Sequence, residues 1–433
     1  MSFLRQSVST FATQVATMVF GMATGIITAR VLGPEVKGQA ALLSNATQLL
    51  FMVGSMGLGS AFAFFIGQER YPARQIMSMA LVFSLLFGLV ANALFYLSLP
   101  MHQALWRDIP FFLLVLSTGL AIAQIYSTHL IRITVGHGRI YAMNASSIVY
   151  SVTSFISVVL FVALLQQGLA GVVNSLWIAA IFQIGLLAWL LRDNLLPTLH
   201  WQKGIIRASF SYGVKSHALL IINYLNYRLD IFLLQYLTGD SIEVGFYSLA
   251  VGMAEMMWLV PNAVVAPLFS TVVRDHQNGY QVTLQVCRWS LLFLLILAVA
   301  GICFGHLFIG LLYGKAFLPS FAPFLLLLPG VCLFPLFKLL IVDLSARGYP
   351  GYGTVTSAVA LVVNVVGNFL LIPQFGGVGA AMATSISYAV MSVISLVLFC
   401  RVAGTRFSEI FFFRKSEIQI IKINLMRILG KSG

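Results

Sequence analysis

Runs of about 20 apolar residues, the length that crosses a bilayer as α-helix, recur along this 433-residue chain with only short polar breaks between them. Twelve can be counted. In the first half they cover 8–29, 39–66, 77–99, 110–131, 141–164 and 171–191; in the second, 210–237, 245–271, 289–312, 320–344, 354–373 and 378–400. With 60% hydrophobic and 9% charged side chains, the chain is not a soluble globular protein. A transmembrane barrel would show weakly alternating segments of about ten residues instead of solid runs. The expected fold is therefore an all-α integral membrane bundle of about twelve helices. It divides into a six-helix lobe over 1–200, a second over 201–402 and a basic tail over 403–433.

Loops rich in Lys and Arg stay on the cytoplasmic side, which orients the bundle. The two termini and the loops on their side hold 18 such residues, against four in the opposite loops: Arg30, Lys37, Arg107 and Lys315. Both termini are expected to be cytoplasmic. The first apolar run is too long for a cleaved signal, and no small-residue cleavage site follows it. A net charge of +13 would suggest nucleic acid in a soluble protein; here it lies mainly in loops facing an anionic leaflet, and no nucleic-acid partner is expected. The tail interleaves Phe, Ile and Leu with Arg414, Lys415, Lys422, Arg427 and Lys431, the composition of an interfacial amphipathic helix or a docking segment. Its terminal GKS is no phosphate loop, because Leu425 stands where the upstream glycine is needed.

Nothing in the chain has the pattern of an enzyme or a metal centre. Cys287, Cys303, Cys332 and Cys400 lie in or beside apolar runs without ligand spacing, the seven histidines are scattered, and no dinucleotide, hydrolase or zinc-protease signature appears. No cofactor is expected. The longest outward loop, 100–109, has ten residues, too few for the site of a membrane glycosyltransferase or polymerase. What remains is work done inside the bilayer, and transport is the expected function.

Glycine spacing suggests a duplication. LGPEVKG (32–38) has a counterpart in LTGDSIEVG (237–245), and QQGLAG aligns with QFGGVG so that Gly168 matches Gly376 and Gly171 matches Gly379, at offsets of about 207 and 208. Six helices per repeat is an even number, so the repeats run parallel and can face each other across a cavity.

These segments also carry a family resemblance. ARVLGPEVKGQAALLS (29–44), YRLDIFLLQYLTGDSIEVGFYSLAVGMAEM (227–256), VPNAVVAPLFSTVVRD (260–275) and VVNVVGNFLLIPQFGGVGAAMATSISY (362–388) resemble oligosaccharide flippases of the Wzx type, in the MATE-like exporter superfamily. The resemblance implies a MATE-like fold and translocation of an undecaprenyl-pyrophosphate-linked oligosaccharide across a bacterial inner membrane. That step serves O-antigen or other lipopolysaccharide and surface polysaccharide assembly, with a polymerase and chain-length machinery as partners. A drug or cation antiporter of the same superfamily is the alternative.

Six charged residues fall within the spans, all in the second half: Lys215, Arg228, Asp230, Glu255, Lys338 and Asp343. A lone charge at the bilayer centre costs roughly 2.5–3.5 kcal/mol, so each must face a partner or a polar cavity. On the seventh span, at about 100° per residue, Lys215, Asn226 and Asp230 fall within an arc of about 60°, with His217, Tyr224 and Arg228 opposite. Two polar stripes back to back require that helix to be sandwiched between the lobes or bent. Arg228 lies about 15 Å deep and Glu255, returning on the eighth span, about 18 Å, so the two can meet.

Arg228 is accordingly either a cation for a diphosphate or acidic sugar, with Lys215, Asn226, Tyr224 and Lys338 as further substrate contacts, or the static partner of Glu255. Asp230 and Glu255, with Asp343 and His217, are candidates for coupling transport to protons or another ion; static pairing or hydration is the competing account. Lys338 and Asp343 sit near the end of the tenth span, where snorkelling also explains them. Pro261, Pro267, Pro329 and Pro335 favour kinks, and Gly21 with Gly25 is expected to form a helix-packing face.

Overall fold

The computed structural model describes residues 3–192 and 201–411, so most of the expected amphipathic tail lies outside the described residues. The first half forms α1 (Phe3–Ser55), α2 (Leu58–Gly67), α3 (Ala73–Ser98), α4 (Phe111–Gly136), α5 (Ile140–Val158) and α6 (Gly168–Leu190). The second forms α7 (Ile205–Thr238), α8 (Ser241–Met256), α9 (Leu259–Arg274), α10 (His276–Phe308), α11 (Phe321–Ala346), α12 (Gly351–Ala403) and the single turn α13 (Ser408–Phe411). No strand occurs among the described residues.

Two expected loops shrink to one glycine each. α1 contains a single non-helical residue, Gly33 (φ 76°, ψ 179°), and α12 likewise breaks only at Gly376 (φ 55°, ψ −133°). A positive φ is open to glycine at little steric cost, which lets the chain reverse there without spending residues on a loop. The spans expected at 8–29 and 39–66 are thus the arms of α1 with α2, and those at 354–373 and 378–400 are the arms of α12.

Elsewhere an expected span is broken. The 39–66 segment is interrupted at Met56 and Gly57, both with positive φ, and the 245–271 segment breaks after Met256, where α8 and α9 meet at 48°. Pro261 falls in the first turn of α9, where its missing N–H has no intrahelical carbonyl to bond. By contrast α11 continues as one helix through Pro329 and Pro335. Among the described residues eight helices are long and apolar enough to cross a membrane, or nine if α8 and α9 form one span. The 34-residue α7 is too polar to count among them.

In the first half α4 packs on α1, α2, α3 and α6; in the second, α11 packs on α8, α9, α10 and α12. The halves meet where α1 lies on α8 and α2 on α7. One buried apolar cluster runs across the junction and includes Leu42, Leu43 and Leu114 together with Leu234, Tyr247 and Ala250. Outward, α3 exposes Leu85, Leu89 and Leu94, and α10 exposes Leu295, Ile296 and Val299, an arrangement suited to hydrocarbon.

The glycines paired by sequence spacing behave alike in space. Gly33 and Gly239 both have positive φ, as do Gly168 and Gly376. Gly171 presses on the Phe161 carbonyl and Gly379 on the Leu371 carbonyl, each in the chain just before it. The packing face expected at Gly21 and Gly25 is not formed, since a Cβ at either would meet nothing within 4 Å. This part of α1 packs on α5 through other side chains, such as Phe20 against Phe155, so the two glycines bring no helix closer.

A Cβ at Gly379 would lie 2.9 Å from the Ile372 amide nitrogen, and backbone cannot yield cheaply. Gly379→Ala is expected to destabilise the fold by about 1–3 kcal/mol, lowering the melting temperature in detergent. Gly185→Ala, whose Cβ would meet nothing within 4 Å, should melt at or above the parent temperature.

Candidate functional site

The candidate site is built around α7. It ends at Gly239 in the left-handed conformation, a common helix C-terminal signal. Asp240 then caps α8, its Oδ1 accepting from the Ile242 amide at 2.8 Å. This tight reversal sends α8 back along α7 and brings Glu255 to Arg228, with Nη2 and Oε2 2.7 Å apart. The side chains are 28% and 24% exposed, so the pair is shielded but still reachable from one side. Arg228 Nη1 also reaches the Tyr227 carbonyl at 3.4 Å; no further bond from the guanidinium is made among the described residues. Of its five N–H groups, several therefore remain available for an anion.

The two polar stripes of α7 are accommodated by a sandwich. On one side Asn226, fully buried, donates from Nδ2 to the Ser357 carbonyl of α12 at 2.8 Å and to Ile222 at 3.1 Å. On the other, Tyr224 Oη donates to the Asn45 carbonyl and His217 Nε2 to the Met52 carbonyl, each at 2.6 Å and each on α1. A carbonyl can only accept, so His217 carries its proton on Nε2. The side chain of Lys215 lies outside the described residues.

Asp230 is closed from solvent, 1% exposed. Its Oδ2 accepts from Tyr247 Oη of α8 and from Thr384 Oγ1 of α12 at 3.0 Å, while Oδ1 accepts from the Ile231 amide at 2.8 Å. Behind Thr384 the network continues through Asn364 at 3.4 Å and on to Asn368, whose Nδ2 lies 2.9 Å from Asn364 Oδ1. The Oδ1 atom of Asn368 is buried without a donor. A narrow gap lined by Tyr227, Asp230, Glu255, Trp258, Thr384 and Tyr388 joins this network to the ion pair.

Sequence reasoning singled out Asp230 but missed Tyr247, Thr384, Asn364 and Asn368. The signal was present in VVNVVGNF, where two asparagines four residues apart put amides on one face of an apolar helix.

Lys338 and Asp343 do not snorkel. Lys338 Nζ bonds Asn262 Oδ1 at 2.9 Å and stands 5.5 Å and 5.3 Å from the ring centroids of Trp258 and Phe334. The break between α8 and α9 is what carries Trp258 and Asn262 to it. Asp343 is fully buried, paired with Arg347 one turn along α11, and accepts from Thr283 of α10. Among the described residues no group of three or more His, Cys, Asp or Glu side chains could hold a metal ion.

Removing one member of the Arg228–Glu255 pair strands the other charge. Because the pair is about a quarter exposed, Arg228→Ala or Glu255→Ala alone should cost about 1–3 kcal/mol, less than the 3–5 of a fully buried pair. The double replacement should regain at least half of the larger loss, as read from melting temperatures in detergent.

The model of a family described as "Polysaccharide biosynthesis protein" matches residues 3–273. A curated relative, the "Probable low-salt glycan biosynthesis flippase Agl15" of Haloferax volcanii, is 28% identical over 193 residues, 43% of this chain and 41% of that protein. The chain thus spans about two-fifths of the length of that relative. An inward-facing multidrug resistance MATE family transporter of the MOP superfamily superposes with a TM-score of 0.75 at 15% identity, covering 90% of this chain and 94% of the other. Lipid II flippase MurJ in an inward closed conformation also gives 0.75, at 14% identity, covering 94% and 89%. At such identities the likeness is one of fold. Because the family model matches more than half of this chain, the chain belongs to the polysaccharide biosynthesis protein family, and it has the fold of the MATE and MurJ membrane transporters.

Proposed function

We propose that this protein is a flippase of the Wzx type. Its substrate is an undecaprenyl-pyrophosphate-linked oligosaccharide repeat unit, moved from the inner to the outer leaflet of a bacterial inner membrane for O-antigen or related surface polysaccharide. Family membership and the flippase named among its relatives support the class of substrate. The observation that carries the reading is the reachable guanidinium of Arg228, held by a carboxylate on one side only.

A diphosphate offers the planar fork of Arg228 a bidentate partner that competes with Glu255. Lys338, oriented by Asn262 and the Trp258 and Phe334 rings, is a second cation on the same lobe. Asn226, Tyr224 and His217 have their donors committed to backbone carbonyls, and we assign them to holding α7 in place. Asp343, committed to Arg347 and Thr283, has the same supporting role.

Coupling falls to Asp230. Its oxygen partners, Tyr247 and Thr384, with the amides of Asn364 and Asn368 in line behind Thr384, suit a proton or an alkali cation and no softer metal. Filling that site neutralises a carboxylate that otherwise has only hydroxyl and amide partners.

In vesicles loaded with an undecaprenyl-pyrophosphate-linked oligosaccharide, Arg228→Ala should abolish flipping, and adding Glu255→Ala should restore stability but not transport. Full activity of the double variant would remove Arg228 as a substrate contact. Under the same conditions Asp230→Asn, which keeps an acceptor for Tyr247 and Thr384, should fold normally and lose its dependence on proton and sodium gradients. Export of a cationic dye without any glycolipid movement would favour the antiporter instead.

We also propose twelve crossings with both termini cytoplasmic, supported by the 18 to 4 distribution of Lys and Arg and by the glycine breaks in α1 and α12. Reporter fusions at residues 70, 137, 203 and 347 should read cytoplasmic, and at 104 and 316 external. An external signal from residue 410 would overturn this topology.

A further inference from the structure

Among the described glycines, two pairs bring the halves into contact backbone to backbone. At one end of the interface, a Cβ on Gly38 would collide with the Ser241 carbonyl and lie 2.9 Å from the Gly245 amide; a Cβ on Gly245 would collide with the Pro34 carbonyl. Pro34 and Ser241 are 207 residues apart, as are Gly38 and Gly245. The contact is therefore reciprocal, each glycine meeting the repeat mate of the residue that its own mate meets, as on a two-fold axis. Beside it Arg30 donates to the Leu311 and Leu312 carbonyls, tying α1 to the chain end after α10.

At the other end, a Cβ on Gly57 would collide with the Gly213 carbonyl, and one on Gly213 would lie 2.9 Å from the Met56 carbonyl oxygen. Along the helix Gly38 and Gly57 are about 28 Å apart, close to the thickness of the hydrocarbon core. Between them run the Tyr224–Asn45 and His217–Met52 hydrogen bonds. The interface of α1 and α2 with α7 and α8 is thus shut at both ends, and only glycine permits the approach at either.

We propose that the two glycine pairs are the bearing points of two gates. Gly38 with Gly245 holds α1 against α8 at the outer mouth, Gly57 with Gly213 holds α2 against α7 at the inner mouth, and either pair separates alone. This rests on the transporter reading and the orientation above. A methyl group on one pair holds its own mouth apart and leaves the opposite pair intact.

The test uses the full chain with its four cysteines replaced, in nanodiscs, with spin labels at exposed positions: Glu35→Cys and Asp240→Cys across the outer mouth, Gln68→Cys and Arg207→Cys across the inner. Gly38→Ala should shift the outer distance to longer values and leave the inner one short. Gly213→Ala should do the reverse; Gly57 is avoided because its φ of +67° strains any side chain. Should Gly38→Ala not fold, Gly245→Ala, which loads the same contact from the other side, must give the outer shift. Unchanged distances in folded Gly245→Ala and Gly213→Ala would overturn the proposal. So would an inner shift caused by the outer substitution. The distances need no substrate, so a parent that flips no glycolipid while both shifts occur would reject the flippase reading and keep the gates.

Discussion

Hydrocarbon cannot solvate a charge, and most of the architecture around α7 follows from that. A helix with Arg228 and Asp230 two residues apart presents ionised groups to different sides and cannot lie against lipid. The chain answers with a tight reversal at Gly239 and Asp240, which lays α8 beside α7 and delivers Glu255 to the guanidinium. On the opposite side α12 supplies Thr384 and the Ser357 carbonyl. The first half contributes carbonyls of α1 and no charge to this set. The duplicated lobes thereby divide the work: one carries the ionisable chemistry, and the other offers it a neutral, rigid face.

Arg228 and Asp230 end in different circumstances. Arg228 has one carboxylate, partial exposure and unspent donors, the conditions under which a second anion can exchange for the first. Among the described residues hydroxyls and a backbone amide, and no basic group, donate to Asp230, which is closed from solvent. Neutralisation by a small cation or a proton fits the second, and competition by a large anion fits the first. Tyr227, Trp258, Thr384 and Tyr388 line the gap between them, so a change at one reaches the other through a few packed side chains.

Glycine decides where the backbone comes close or turns. Gly33 and Gly376 replace whole loops, and Gly38, Gly245, Gly57 and Gly213 let carbonyls of one half rest on the other. The reciprocity of the Gly38–Gly245 contact gives the internal duplication a physical expression, because a point on a two-fold axis is the one place where a repeat meets its own copy. Gly21 and Gly25, with the same small-residue spacing as many packing faces, show that spacing alone does not bring two helices together.

What the sequence by itself determined were the features that the bilayer imposes locally: apolar runs of spanning length, an all-helical fold, a handful of charges confined to the second half, and the meeting of Arg228 with Glu255 across one short turn. Each depends on residues near one another in the chain, where helix period and rise predict position. The partners of Asp230 were beyond that reach, since Thr384 is 154 residues away and its approach depends on how α12 folds back at Gly376. So were the break that swings Trp258 and Asn262 toward Lys338 and the choice of a sandwich over a bend for α7. Tertiary structure decided these because a buried polar group takes whichever donor or acceptor packing brings within about 3 Å, and packing is a property of the whole bundle.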